Sequence, residues 1–304
     1  MSPDAIAFET QFPPERDAQP ARVSPLTRRL VAPNGGPFTF TGTCAYIVGS
    51  GEVAIVDPGP KSEAHVEALL AAIAGERLAA ILVTHTHLDH APAAALLRQR
   101  TGALVVGCAP HRPIDVRKID GPALDASHDA AYAPDRILEE GETLHVGGAT
   151  LQALATPGHT ANHLCYALRE EKTLFTGDHV MAWATTIVAP PDGSMRAYLG
   201  SIEKLLARDD LLYWPAHGGP VADPRAFLRA LLLHRRQREA AILQRLQAGD
   251  ATIPAMVEKI YASVDKRLHP AAAMVVFAHL EHLVERGEVA APDGLGLFER
   301  YEKA

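Results

Sequence analysis

The apolar positions come in short bursts before they come in long periods. Phe38, Phe40, Ala45, Tyr46 and Ile47 lead to a Gly49-Ser50-Gly51 turn, and residues 53–56 follow as a second apolar run, so 37–57 reads as paired strands. That run stops at Asp57-Pro58-Gly59-Pro60, a strong breaker. Val66, Leu69, Leu70 and Ile73 then follow helical spacing behind Ser62, a suitable N-cap, and predict a helix over 62–75. Residues 79–83 and 103–107 read as buried strands around a helix at 91–100. Strands resume at 143–146, 150–155, 164–168 and 173–175, with a helix at 195–207 and a last strand at 211–214. Strands alternating with helices imply sheets covered by helices, an α/β class.

Two stretches break this rhythm. Residues 109–141 carry Pro110, Pro113, Pro122 and Pro134 with little periodicity, as expected of a lid or substrate loop. After Pro224 the pattern turns helical: Phe227, Leu231, Leu232, Ala241, Ile242 and Leu246 hold a 3.6-residue period up to Gly249. Shorter helices fit 253–263 and 270–285, and Arg286-Gly287-Glu288-Val289 turns into a short strand. Three helices closing on a small strand pair look like a winged-helix module. The expected division is a flexible arm over 1–22, an α/β domain over 23–222 and a winged-helix-like domain over 223–304.

Composition narrows the class. With 304 residues, 47% hydrophobic and 21% charged, the chain can bury a large core and is not disordered. Three cysteines and no C-x-x-C pair exclude a disulfide framework, so they read as small core residues in a reducing compartment. No apolar leader or spanning run is present, and a soluble cytoplasmic protein without membrane partners is expected. A net charge of -7 argues against general nucleic-acid electrostatics. Over 225–304 the balance is 12 basic against 10 acidic residues, and the recognition-type helix carries Glu281 and Glu285, which argues against duplex readout. Arg235-Arg236-Gln237-Arg238 reads as a solvated helix face or a contact to an anionic group. Fifteen histidines are many for this length.

Their order explains the excess. Thr84-His85-Thr86-His87-Leu88-Asp89-His90 sits between a buried strand and a helix and packs three imidazoles and a carboxylate into one turn. Such donors suit Zn²⁺, and less selectively Fe or Mn. Three later stretches repeat the chemistry beside glycine or proline turns: Thr156-Pro157-Gly158-His159-Thr160, Thr176-Gly177-Asp178-His179 and Pro215-Ala216-His217-Gly218-Gly219.

This ordered set, H-x-H-x-D-H followed by His, Asp and His, resembles the metallo-β-lactamase-fold hydrolase superfamily over roughly residues 23–222. The resemblance implies a four-layer αββα sandwich and a dinuclear site. His85, His87 and His159 would hold one metal, Asp89, His90 and His217 the other, and Asp178 would bridge both beside a shared hydroxide. Asp57 matches the family's strand-end aspartate and would support the ligand loop. Asp89 would also orient the hydroxide or accept its proton. A bridging aspartate is similar to glyoxalase II, lactonases and the RNA-cleaving branches. His234-Arg235-Arg236-x-Arg238-Glu239, Tyr261, and His279-Leu280-x-x-Leu283-x-x-x-Gly287 resemble the winged-helix tail of the β-lactamase-like protein 2 branch.

His179 is expected either to meet substrate or to support Asp178. Tyr198 either donates a hydrogen bond to a developing oxyanion or packs the start of its helix. His163 reads as structural, and His111 and His128 as solvated loop residues. The resulting expectation is a hydrolase of a small ester or thioester, hydroxyacylglutathione hydrolase-like. Single-strand endoribonuclease, lactonase, weak β-lactamase and winged-helix nucleic-acid-binding regulator stand as alternatives. The partner would be a small-molecule ester or thioester or single-stranded RNA, with a homodimer supported by the tail.

Overall fold

The computed structural model describes residues 6, 8, 19–112 and 128–304. Residues 113–127 of the long loop and most of the expected arm lie outside them.

The first sheet is built from β1 (Ala21–Arg22), β2 (Thr27–Val31), β3 (Cys44–Ser50), β4 (Glu52–Val56), β5 (Arg77–Val83), β6 (Leu104–Gly107) and β7 (Arg136–Ile137), in that spatial order. The strands run antiparallel up to β4 and parallel from β4 to β7. Strands β4 and β5 are buried almost along their length, which is why their sequences are unbroken apolar runs. The expected arm thus ends in a strand, and its Phe8 ring meets Phe227 edge-on at 6.3 Å. Phe38 and Phe40 fall outside the strands. Phe40 takes a positive φ of 54° and stacks on Trp183 at 4.9 Å. Strand β2 was not anticipated, because Arg28 and Arg29 interrupt its apolar pattern.

The second sheet comprises β8 (Thr143–Val146), β9 (Ala149–Ala155), β10 (Leu164–Leu168), β11 (Thr173–Gly177) and β12 (Leu212–Pro215), in the order β12-β11-β10-β9-β8. The two sheets face each other through aromatic side chains. The Tyr46 ring lies 5.0 Å from Phe175 and 6.1 Å from Trp214, and its hydroxyl donates to the Pro215 carbonyl at 2.6 Å. That bond satisfies a polar tip in the middle of an apolar layer.

Helices cover both outer faces. Helix α1 (Glu63–Ala72) begins where Ser62 Oγ accepts from the His65 amide, and α2 (Ala93–Thr101) packs on β5 and β6. On the other side lies α3 (Met195–Leu206), capped by Ser194. Helix α4 (Pro224–Gln247) starts with proline in its first turn and an Asp223 cap, and Gly249 follows its end with φ +94°. Leu228 and Leu231 of α4 share one core with Tyr198 and Ile202 of α3. Helix α5 (Ile253–Ile260) stops three residues short of expectation. With α6 (His269–Glu285) and the pair β13 (Val289–Ala290) and β14 (Glu302–Lys303) it encloses a separate core around Leu280 and Tyr301. The result is the expected αββα sandwich with a helical, winged-helix C-terminal part. No described helix is long and apolar enough to cross a membrane.

Candidate metal centre

Every chemistry-bearing segment leaves the same edge of the sandwich. Asp57 follows β4, residues 84–90 follow β5, His159 follows β9, Asp178 follows β11 and His217 follows β12. Loops at strand carboxyl ends are where α/β sheets gather ligand groups. Asp57 ties the longest of them down. Its Oδ1 accepts from the Thr84 amide at 2.8 Å, and its Oδ2 accepts from Thr84 Oγ1 at 2.8 Å and from His90 Nδ1 at 3.1 Å. Gly177 lets β11 approach this loop: a Cβ there would lie 2.6 Å from His163 Nε2 and 2.8 Å from Thr84 Oγ1, at a φ of +50°.

Seven side chains converge in two groups. In the first, His87 Nδ1 lies 2.9 Å from His85 Nε2 and 3.2 Å from His159 Nε2, and His159 Nε2 lies 3.6 Å from Asp178 Oδ2. In the second, His217 Nε2 is 3.2 Å from Asp89 Oδ2 and 3.3 Å from Asp178 Oδ1, while His90 Nε2 is 3.3 Å and 3.6 Å from the same two oxygens. Asp178 presents one oxygen to each group.

The donor set fits divalent cations. Ligand bonds of about 2.0–2.1 Å place donors about 3.3 Å apart around a tetrahedral ion, and the separations above centre on that value. Tautomers point the same way. His159 Nδ1 donates to the Ile187 carbonyl at 2.7 Å, His217 Nδ1 to the Gly42 carbonyl at 3.2 Å, and His90 Nδ1 to Asp57. In the neutral rings each Nε2 then turns a lone pair inward. His90 Nε2 and Asp178 Oδ1 are buried without a hydrogen-bond partner.

The electrostatics show what such convergence demands. Burial disfavours charge on His90 and His217, but the carboxylates of Asp89 and Asp178 outweigh it, with Asp57 also acting on His90. His90 is raised well above the ordinary imidazole range and His217 to about 10. Burial pushes Asp178 up, yet His217 and His90 hold it well below the usual carboxylate range. His85 and His87, where burial dominates, are driven well down and stay neutral. His85 and His87 therefore offer neutral nitrogens, and the group of His90 and His217 attracts positive charge.

The remaining sequence candidates surround these donors. His163 bonds Thr156 Oγ1 at 2.9 Å, and its Nε2 accepts from the Asp178 amide at 3.3 Å. His179 and Tyr198 have no exposed surface, and their rings meet at 4.8 Å. Burial, reinforced by His159, Arg235 and Lys204, lowers His179 to about 3, so its ring is neutral. Tyr198 lies in the α3 core, where its backbone fills the space beside Gly158. Arg235 corrects the expectation of a solvated α4 face at this position: it is 1% exposed. Its guanidinium lies 5.0 Å from the Tyr198 ring centre and donates to the Thr186 carbonyl at 2.7 Å, while Thr186 Oγ1 lies 3.3 Å from His159 Nδ1. Thr84, Thr156, Thr186 and Arg235 were missed as supports. Thr84 and Thr156, which close apolar strands, were a readable sign, whereas Thr186 lies in a loop and Arg235 in an ordinary basic run.

Comparison with known proteins agrees with this architecture. Residues 38–217 match the family model of the metallo-beta-lactamase superfamily, and residues 252–295 match the beta-lactamase associated winged helix domain. An atrochrysone carboxyl ACP thioesterase of Aspergillus fumigatus is 29% identical over 271 residues, covering 84% of this chain and 78% of that protein. A lactamase-like protein of Pestalotiopsis fici is 27% identical over 278 residues, covering 87% and 80%. Among solved structures, a metallo-beta-lactamase family protein from Thermus thermophilus aligns with TM-score 0.75 at 25% identity over 93% of this chain and 100% of that one. A beta-lactamase domain protein from Burkholderia ambifaria shares the fold, with TM-score 0.79 at 21% identity over 98% and 97%. The chain belongs to the metallo-beta-lactamase superfamily, as a hydrolase carrying the beta-lactamase associated winged helix domain.

Proposed function

We propose that this protein is a dinuclear metal-dependent thioesterase. The observation that carries the reading is Asp178, whose two oxygens face two separate donor groups. His85, His87, His159 and Asp178 would hold one ion, and Asp89, His90, His217 and Asp178 the other. Five imidazoles and two carboxylates suit Zn²⁺ first, with Fe and Mn also fitting. When bound, the ions lower the pKa of water and polarise the acyl carbonyl. The chain's own part is to orient the rings of His159, His217 and His90 through their Nδ1 bonds, so that each Nε2 faces the donor group. Asp89, with a side chain 26% exposed, is more open than Asp178, His90, His159 or His217, and is placed to pass a proton between the attacking water and solvent. His179 and Tyr198 act as packing beneath the donors. Residues 23–222 carry the chemistry, and 223–304 cover the back of α3.

The similarity to atrochrysone carboxyl ACP thioesterases supports a thioester over other acyl bonds and favours an acyl group borne on a carrier-protein thiol. Purified protein offered acyl carrier protein thioesters, acylated glutathione, a lactone and single-stranded RNA should release thiol from the carrier thioester fastest. Asp178→Asn and His87→Ala should abolish turnover and lower bound metal. Cleavage of RNA with no thiol release would overturn the reading, and thiol release only from glutathione would reassign the carrier.

A further inference from the structure

Four of the five donor imidazoles are held by a hydrogen bond at the nitrogen that faces away from the centre. His85 Nδ1 donates to Thr84 Oγ1 at 3.0 Å, His90 Nδ1 to Asp57, His159 Nδ1 to Ile187 and His217 Nδ1 to Gly42. His87 is the exception. Its inner nitrogen is Nδ1, and among the described residues its Nε2 makes no hydrogen bond. The ring that meets it from outside the donor groups is His128, 4.8 Å away between centres and tilted by 44°. The two residues also pair through their backbones, and the Asp129 amide donates to the Thr86 carbonyl at 2.6 Å.

The orientation of His128 is set by a residue three positions after His159. Asn162 Nδ2 lies 2.7 Å from the Ala109 carbonyl oxygen and 3.2 Å from Thr86 Oγ1, and Asn162 Oδ1 accepts from Thr160 Oγ1 at 2.9 Å. A carbonyl can only accept, so the amide NH₂ must face Ala109, and the same group donates to Thr86. Thr86 is fully buried, and among the described residues the acceptor left for its own proton is His128 Nδ1 at 2.8 Å. His128 therefore carries its ring proton on Nε2, which faces Asp192 Oδ2 at 3.4 Å. Asp192 Oδ1 in turn accepts from the Ala161 amide at 3.3 Å, so the circuit returns to the loop that bears His159. His111 stacks flat on His128, 3.6 Å between centres and 5° between planes, and further restrains its tilt.

We propose that Asn162 is a positioning residue for His87, acting through the Thr86 hydroxyl and the His128 ring. A donor chain of fixed direction selects one orientation of His128. The packed ring then limits rotation of His87, so that its Nδ1 keeps facing His85 and His159. Groups that orient a metal-binding imidazole from behind are worth about 10–100-fold in metal affinity. The role rests on His87 as a metal donor, as in the proposed function, and not on which bond is hydrolysed.

Two measurements on the full chain test it. In metal-free, isotope-labelled protein, long-range nitrogen–proton correlation NMR should find His128 protonated at Nε2. In Asn162→Asp the carboxylate can only accept, so Thr86 turns its proton to that group and the His128 proton should move to Nδ1. Chelator competition with Zn²⁺ should then show Asn162→Ala and Thr86→Val each weakening, about 10-fold, the ion that His87→Ala loses, with the other ion unaffected. The double variant should lose no more than either alone, and Thr86→Ser, which keeps the hydroxyl, should bind as the wild type does. His128 protonated at Nδ1 in the wild type, or losses that add in the double variant, would overturn the role of Asn162 while two bound ions leave the dinuclear reading standing. A wild type that binds no ion would defeat that reading and this role with it.

Discussion

Asp57 shows how one side chain sets the quality of the centre without facing its interior. It accepts three hydrogen bonds at the head of the 84–90 loop, one from His90 Nδ1, so the ring of His90 can turn only if that bond breaks. Asp57→Asn places an amide donor against donors, and we expect metal affinity at the His90 group to fall about 10–100-fold with the fold intact. Competition with a fluorescent chelator reads that change. Gly177→Ala acts through space, since its Cβ would stand 2.6 Å from His163 Nε2, the atom that accepts from the Asp178 amide. A lower Tm and displaced metal should appear together. The seven donors were legible because their order survives in a one-dimensional pattern. The convergence of Asp192 with His111 and His128 was not, because nothing near Asp192 in sequence marks it and both histidines lie 64 or more residues away. Tyr198 was legible only as a choice between two roles, because spacing does not carry its burial or the contact of its ring with His179.

At the scale of elements, the same division holds. Helix α1 and strands β4, β5 and β8–β12 were readable because cap, period and apolar run agree. Strand β2 was hidden because pairing with β3, not its own composition, makes it a strand. Helix α4 was readable as a helix but not as a support: its period picks out Leu231 and Ile242 of the buried face, while Arg235 lies among charged neighbours that look solvated. Arg235 fixes the Thr186 carbonyl, and Thr186 and Ile187 together hold His159 Nδ1. This makes Arg235 a positioning residue. Arg235→Met keeps the length and removes the donor. We expect the ion held by His159 to bind about 10-fold more weakly and kcat to fall more than KM changes. Arg235→Lys should restore part of both, an outcome that a purely space-filling role would not give.

At the scale of the whole molecule, buried histidines away from the metal donors make stability depend on pH. His279 of α6 is fully buried and faces Glu239 of α4 at 3.4 Å, and Glu239 also meets His282 and Arg286. Burial outweighs the favourable carboxylate, with Arg235 and Arg238 opposing charge as well, and His279 falls to about 4. His65 beneath Gly59 also falls to about 4 through burial, against a bond to the Pro58 backbone. Both folded values lie below the unfolded value of 6.5, so the unfolded chain binds protons first as pH drops. Their contribution is complete above pH 6.5 and is lost as pH falls toward 4. Each should account for about 2 kcal/mol of lost stability between pH 7 and pH 5. Acid also competes for the metal donors, so the wild-type slope alone mixes two causes. His279→Gln separates them, because its metal donors are unchanged while one buried proton acceptor is gone. Urea unfolding at pH 7 and pH 5 should show the variant losing about 2 kcal/mol less than the wild type. Equal losses would mean that His279 takes up its proton as readily in the folded chain as in the unfolded one, and a larger loss in the variant would make the α4–α6 contact an ion pair with Glu239 rather than a buried neutral ring.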